Sequence, residues 1–99
     1  MIVVIGTIRA PVDAMEKLRA PMAAVVAASR AEDGCIDYAY GWDVLDPGLI
    51  RVSEVWRDQA ALDRHVKTPH MDPWRAVRTE LGVGERRIFR YEAGPPVEI

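Results

Sequence analysis

The stretch Cys35-Ile36-Asp37-Tyr38-Ala39-Tyr40-Gly41-Trp42-Asp43, then Asp46-Pro47-Gly48, then Leu49-Ile50-Arg51-Val52-Ser53-Glu54-Val55-Trp56-Arg57, decides the fold. Its first part alternates with period two. Ile36, Tyr38, Tyr40 and Trp42 point one way, and Cys35, Asp37, Ala39, Gly41 and Asp43 the other, as a pleated strand requires. In its last part Ile50, Val52, Glu54 and Trp56 share one face. Between the two, Pro47 presets φ and Gly48 accepts a positive φ, which is the chemistry of a tight turn. Residues 35–43 and 49–57 therefore read as a β-hairpin.

Outward from the hairpin, the order of elements emerges. Residues 2–9 are rich in β-branched side chains and fit a central strand apolar on both faces. Asp13 with Glu16 resembles a capping box, and Met15, Leu18, Met22, Val25, Val26 and Ser29 fall on one helical face. Pro21 is expected to kink this helix or split off its first turns, and Gly34 to stop it. After the hairpin, Asp58 can cap a short helix over residues 59–66. Thr68-Pro69 reads as a fresh cap with proline at the first helical position. Met71, Trp74, Val77 and Leu81 then line one face of a second helix, ended by Gly82 and Gly84. Residues 85–92 form a last strand, with Phe89 and Tyr91 on one face. The tail from residue 93 to 99 is extended through Gly94-Pro95-Pro96.

Strand, helix, strand, strand, broken helix, strand is the split β-α-β-β-α-β pattern. The expected fold class is α+β and ferredoxin-like, with a four-stranded antiparallel sheet and the helices on one face. The other sheet face then has no cover within the chain, although its strands carry large apolar residues. Such a face normally marks an association surface, and a homodimer packed sheet to sheet is its simplest cover.

Bulk properties fit one domain over residues 1–99. The chain has 99 residues, 49% hydrophobic and 28% charged, with a net charge of −2, so a small core and a water-compatible surface are both available. The cations are dispersed, which argues against nucleic acid as a partner. The lone Cys35 cannot form an internal disulfide, and a reducing, cytoplasmic setting is the default. Residues 2–9 lack a basic leader and are too short to span a bilayer, so no membrane partner is expected.

Three segments carry a resemblance to a known family: Glu32-Asp33-Gly34-Cys35-Ile36-Asp37-Tyr38, Ser53-Glu54-Val55-Trp56, and Leu62-Asp63-Arg64-His65-Val66-Lys67-Thr68-Pro69-His70-Met71. Together they resemble the antibiotic biosynthesis monooxygenases, in particular the small quinol monooxygenases. The resemblance implies a dimeric α+β barrel and an enzyme that oxidises a phenolic or hydroquinone substrate with O₂. It further implies that no cofactor or metal is needed. The family also holds members without known activity, so fold is implied more firmly than reaction.

Such chemistry calls for an apolar pocket, a base tuned near neutral pH and a few donors. His65 and His70 are the only histidines, and histidine titrates in that range; either can accept a phenolic proton, and either can equally serve as a packing group at a helix end. They are five residues apart with Pro69 between them, a spacing that does not favour chelation, and no metal is expected. Trp74, one turn after His70 and on the face of Met71, is a candidate to stack on substrate. Tyr40 can donate to a quinone oxygen, and Trp56 can stack or simply fill the core. Glu54, on the apolar side of its strand, needs a partner or a raised pKa; it is a candidate second base or the partner of Arg87 or Arg90. The Gly6-Thr7 step permits close approach of a backbone or a ligand, which adds Thr7 to the candidate substrate contacts. A haem-degrading branch of the same superfold carries asparagine, tryptophan and histidine where this chain has Thr7, His65 and Arg75, so haem is not expected. Other readings remain open: a dimeric small-ligand-binding domain without turnover, or an isomerase or lyase in which His70 or Glu54 shuttles a proton.

Overall fold

The hairpin of alternating residues forms β2 (Cys35–Trp42) and β3 (Leu49–Trp56), paired antiparallel with Tyr38 opposite Glu54, Tyr40 opposite Val52 and Trp42 opposite Ile50. The structure, a computed structural model, describes residues 1–99. Gly48 closes the turn at φ +86°, a value that a β-carbon would oppose. Strand β1 (Ile2–Arg9) pairs with β3 on one side and with β4 (Gly84–Glu92) on the other, both antiparallel. The resulting sheet has the order β2-β3-β1-β4, the ferredoxin-like arrangement.

Helices α1 (Met15–Arg30), α2 (Gln59–His65) and α3 (Met71–Glu80) complete the fold. Leu18, Met22 and Val25 of α1 meet Ile8, Ile50, Met71 and Trp74 in one buried cluster. A second cluster joins Ile2, Val4, Tyr38, Trp56 and Ala61. The alternation of each strand decides which side chains enter these clusters, because a one-residue slip would send the whole set to the other face. Asp58 caps α2 as its sequence suggested, its Oδ1 accepting from the Ala61 amide at 2.9 Å.

Several local expectations are corrected. Helix α1 is continuous through Pro21, so the proline does not split off its first turns. Proline removes one amide donor, but buried Leu18 and Met22 anchor the helix on both sides of it, and tertiary packing outweighs the local loss. Asp13 lies in a short 3₁₀ turn (Val12–Ala14) and no side chain caps the start of α1. The Thr68 hydroxyl donates to the His65 carbonyl at 2.7 Å, so it ends α2; α3 begins after His70, with no side-chain cap. The register of β2 shifts between Cys35 and Asp37, a bulge that turns Ile36 outward and leaves it exposed.

Paired residues share a face, so the uncovered side of the sheet carries Val3, Ile5 and Thr7 of β1, Val55 of β3, and Arg87, Phe89 and Tyr91 of β4. Ile5, Phe89 and Tyr91 are 52%, 49% and 55% exposed there. No helix is long and apolar enough to cross a membrane.

Candidate functional site

A cavity of about 490 Å³ opens between the sheet and helices α2 and α3. Val4, Tyr38, Tyr40, Glu54, Met71 and Ile88 supply much of its wall, together with His65 at the end of α2. Its size suits a bicyclic aromatic molecule.

His65 is held more tightly than a surface histidine. It is 2% exposed. Its ring lies 4.6 Å from that of Trp56 and 5.3 Å from that of Tyr38, centroid to centroid. Its Nδ1 meets Glu32 Oε2 at 2.6 Å, the length of a charge-assisted hydrogen bond. A carboxylate can only accept, so the proton of neutral His65 sits on Nδ1 and the lone pair is on Nε2. Nε2 has no partner within the protein, and the ring borders the cavity.

His70 occupies a different place. Its Nε2 lies 3.1 Å from the same Glu32 oxygen and 3.2 Å from the Thr68 hydroxyl. Because that hydroxyl donates its proton to the His65 carbonyl, it can only accept from His70. His70 therefore buttresses Glu32 and does not border the cavity. Glu32, His65 and His70 do bring three potential metal-ligand atoms within 4.8 Å of one another, which the histidine spacing alone did not suggest. Two hydrogen bonds to one oxygen, at 2.6 and 3.1 Å, already account for this arrangement, and His65 Nδ1 could bind a metal only by giving up its bond to Glu32.

The other expected site residues divide by position. Tyr40, Glu54 and Met71 line the same cavity as His65. Trp56 stands behind His65 and donates its indole N–H to Glu54 Oε2 at 3.0 Å. Trp74 is buried against the Tyr40 ring, 5.6 Å away, and is not part of the cavity wall. Thr7 is on the opposite face of the sheet, opposite Arg51 and Arg87, because it is one residue out of phase with the inward-facing Ile8. The suggested pairing of Glu54 with Arg87 or Arg90 does not form. Arg87 points to the uncovered face, and Trp56 takes the carboxylate instead. The residue that was not singled out is Glu32, in the loop after α1; its place in the matched Glu32-Asp33-Gly34 segment was the only signal available.

Burial raises the Glu54 pKa above its ordinary value, and the Trp56 hydrogen bond and the nearby His65 only partly offset that. The folded protein therefore holds this proton more tightly than the unfolded chain, whose glutamate ionises near about pH 4.3. Across the window from there up to the folded pKa, the native state binds the extra proton, so this group's contribution to stability falls as pH rises. Glu54→Gln has no charge to bury. Its stability relative to the parent is expected to improve as pH rises above the range in which the unfolded glutamate ionises, followed by chemical denaturation. A stability difference that stays flat or moves the other way would contradict this.

Comparison with known proteins agrees with this architecture. Residues 1–77 match the sequence model of the family described as antibiotic biosynthesis monooxygenase. The uncharacterized protein sll1783 of Synechocystis is 39% identical over 69 residues, which is 70% of this chain and 47% of that protein. The chain thus spans about half the length of that relative. Rv0793 of Mycobacterium tuberculosis, which carries a provisional monooxygenase name, is 39% identical over 69 residues, covering 70% of this chain and 67% of that one. A crystal structure from Deinococcus radiodurans, provisionally named an antibiotic biosynthesis monooxygenase, superposes with a TM-score of 0.91 at 29% identity, over 100% of this chain and 98% of that one.

Proposed function

The chain belongs to the antibiotic biosynthesis monooxygenase family, and from that premise we propose that it oxidises a small hydroxylated aromatic molecule, a quinol or polyphenol, with O₂. The observation that carries this reading is His65, fixed by Glu32 with its free Nε2 at the wall of an aromatic-sized cavity. A phenol bound there gives its proton to Nε2, and the resulting phenolate is electron-rich enough to reduce O₂ directly. One oxygen atom replaces hydrogen at a ring carbon, which becomes a carbonyl, and the other leaves as water. No cofactor or metal enters this scheme. The cavity's part is to orient the ring, keep bulk water from the anion and hold the proton at a defined atom. Tyr40 is positioned to donate to a substrate oxygen, its hydroxyl 3.0 Å from that of Tyr38, while Met71 packs against the ring. Glu54 is a polar wall residue, and Trp56 and Trp74 set the walls from behind.

Oxygen uptake by the pure protein with a panel of reduced naphthoquinones tests the reading. Uptake above autoxidation supports it. Uptake at the autoxidation rate across the panel rejects it and favours a binding domain without turnover.

The working unit in this reading is a homodimer, with residues 1–99 as one domain and residues 93–99 as its tail. The support is the apolar row Ile5, Phe89, Val3, Tyr91 and Val55 on the uncovered sheet. Light scattering should give twice the 11.1 kDa of one chain, and the double replacement Ile5→Lys, Phe89→Lys should shift it to the monomer. A parent protein at 11.1 kDa at micromolar concentration contradicts it.

A further inference from the structure

The cavity is lopsided in charge. The chain carries a net charge of −2, yet Arg75, Arg78, Arg86 and Arg90 border this one cavity against only two carboxylates, Glu54 and Asp63. Both carboxylates are engaged, Glu54 by the Trp56 indole and Asp63 by Gln59 at 2.9 Å. Arg75 is also engaged, donating to the Val66 carbonyl at 2.5 Å and pairing with Asp72 at 3.3 Å. Arg90 stands 4.0 Å from Glu92. Arg78 and Arg86 have no carboxylate within 4.0 Å.

Arg78 is the more telling of the two. It is half-buried, with its guanidinium 5.7 Å from the Trp74 ring centre. Burial, with the positive charges of Arg86 and Arg75 adding to it, holds its pKa below the ordinary value. A desolvated cation without a counter-ion is costly unless something supplies the missing charge. Arg78 and Arg86 also border a smaller hollow of about 200 Å³, so the same two guanidiniums line both spaces.

We propose, building on the reading of this cavity as the site of quinol oxidation, that its substrate is an anionic hydroxyaromatic acid. Its carboxylate binds Arg78 and Arg86, and its hydroxyl reaches His65 Nε2. Guanidinium groups suit this task because their forked donors match a carboxylate two bonds at a time. The preference is for the ligand's charge and is separate from whether the ring is later oxidised.

Anaerobic calorimetric titration with 6-hydroxy-2-naphthoate and with 2-naphthol separates charge recognition from turnover. The acid is expected to bind at least about tenfold more tightly at low salt, and the preference to shrink in about 0.5 M NaCl as screening sets in. Arg86 is exposed, so Arg86→Ala should fold normally. Arg78→Met keeps much of the apolar contact with Trp74. Each is expected to cut the preference severalfold and leave the affinity for 2-naphthol nearly unchanged. Equal affinities in the parent, a preference that survives both replacements, or no binding of either ligand would overturn the proposal. A charge preference without oxygen uptake on any quinol would overturn the oxidase reading alone. Rapid oxidation of neutral quinols without a charge preference would overturn only the anionic-substrate proposal.

Discussion

Replacing His65 with glutamine lowers kcat/KM for quinol oxidation by about 10²-fold, the usual loss when a positioned general base is removed. The expectation rests on a division of labour around one carboxylate oxygen. Glu32 Oε2 accepts from His65 Nδ1 at 2.6 Å and from His70 Nε2 at 3.1 Å. The first bond fixes the tautomer that leaves Nε2 basic; the second only steadies Glu32. His70→Ala should therefore cost less than about tenfold, and Glu32→Gln should lie between the two, because it loosens the tautomer while leaving the ring in place. His65 also packs between Trp56 and Tyr38, so a purely structural role must be separated from a chemical one. Free imidazole should partly restore His65→Gly and a non-basic ring of the same size should not, a difference that lost packing alone would not give. Equal losses for the His65 and His70 variants, or no imidazole rescue, would contradict the assignment of the base.

The second large effect is on stability. Gly6→Ala should destabilise the fold by about 3 kcal/mol, at the upper end of overpacking costs. The melting temperature should fall on the order of 10 °C or more for a domain of this size. Gly6 sits in β1 between Val52 of β3 and Ile88 of β4. A β-carbon at this position would come 2.2 Å from the Arg87 carbonyl oxygen and 2.5 Å from the Ile88 Cα. Both are backbone atoms, so no rotamer change relieves the clash, and β4 must move away. Arg86, Ile88 and Arg90 of that strand border the cavity, so ligand binding should weaken together with stability. A melting temperature within a degree or two of the parent would contradict the close approach of the two strands.

Much of this fold is legible in the sequence. The alternation in β2 and β3, the Asp46-Pro47-Gly48 turn and the Asp58 cap are local signals, and the side chains that announced them are the ones that act. The Gly6 step also announced a close approach, which is made by the β4 backbone. Pro21 splits no turn from α1, because its cost is local while the burial that holds the helix is not. Ile36 misled because a bulge resets the period by one residue, which the alternation before and after it cannot reveal. The site was legible in part. His65, Tyr40, Glu54 and Met71 come together because the hairpin and the broken helix converge on one side of the sheet. Glu32 was hidden because it lies 33 residues before His65 and 38 before His70, in a loop with no periodicity to mark it. The four arginines were hidden for a similar reason: α3 and β4 each contribute two, and only the packed fold brings them around one cavity.

The central claim is that this cavity takes up a phenol and that His65 removes its proton. The most direct measurement is an anaerobic spectral titration with a nitrophenol, whose phenolate is coloured and whose neutral form is not, about one pH unit below its ordinary pKa. The parent protein should bind it as phenolate, with the band growing to saturation, and His65→Gln should bind it without that band. Binding without a phenolate band in the parent, or the same band in His65→Gln, would contradict the account.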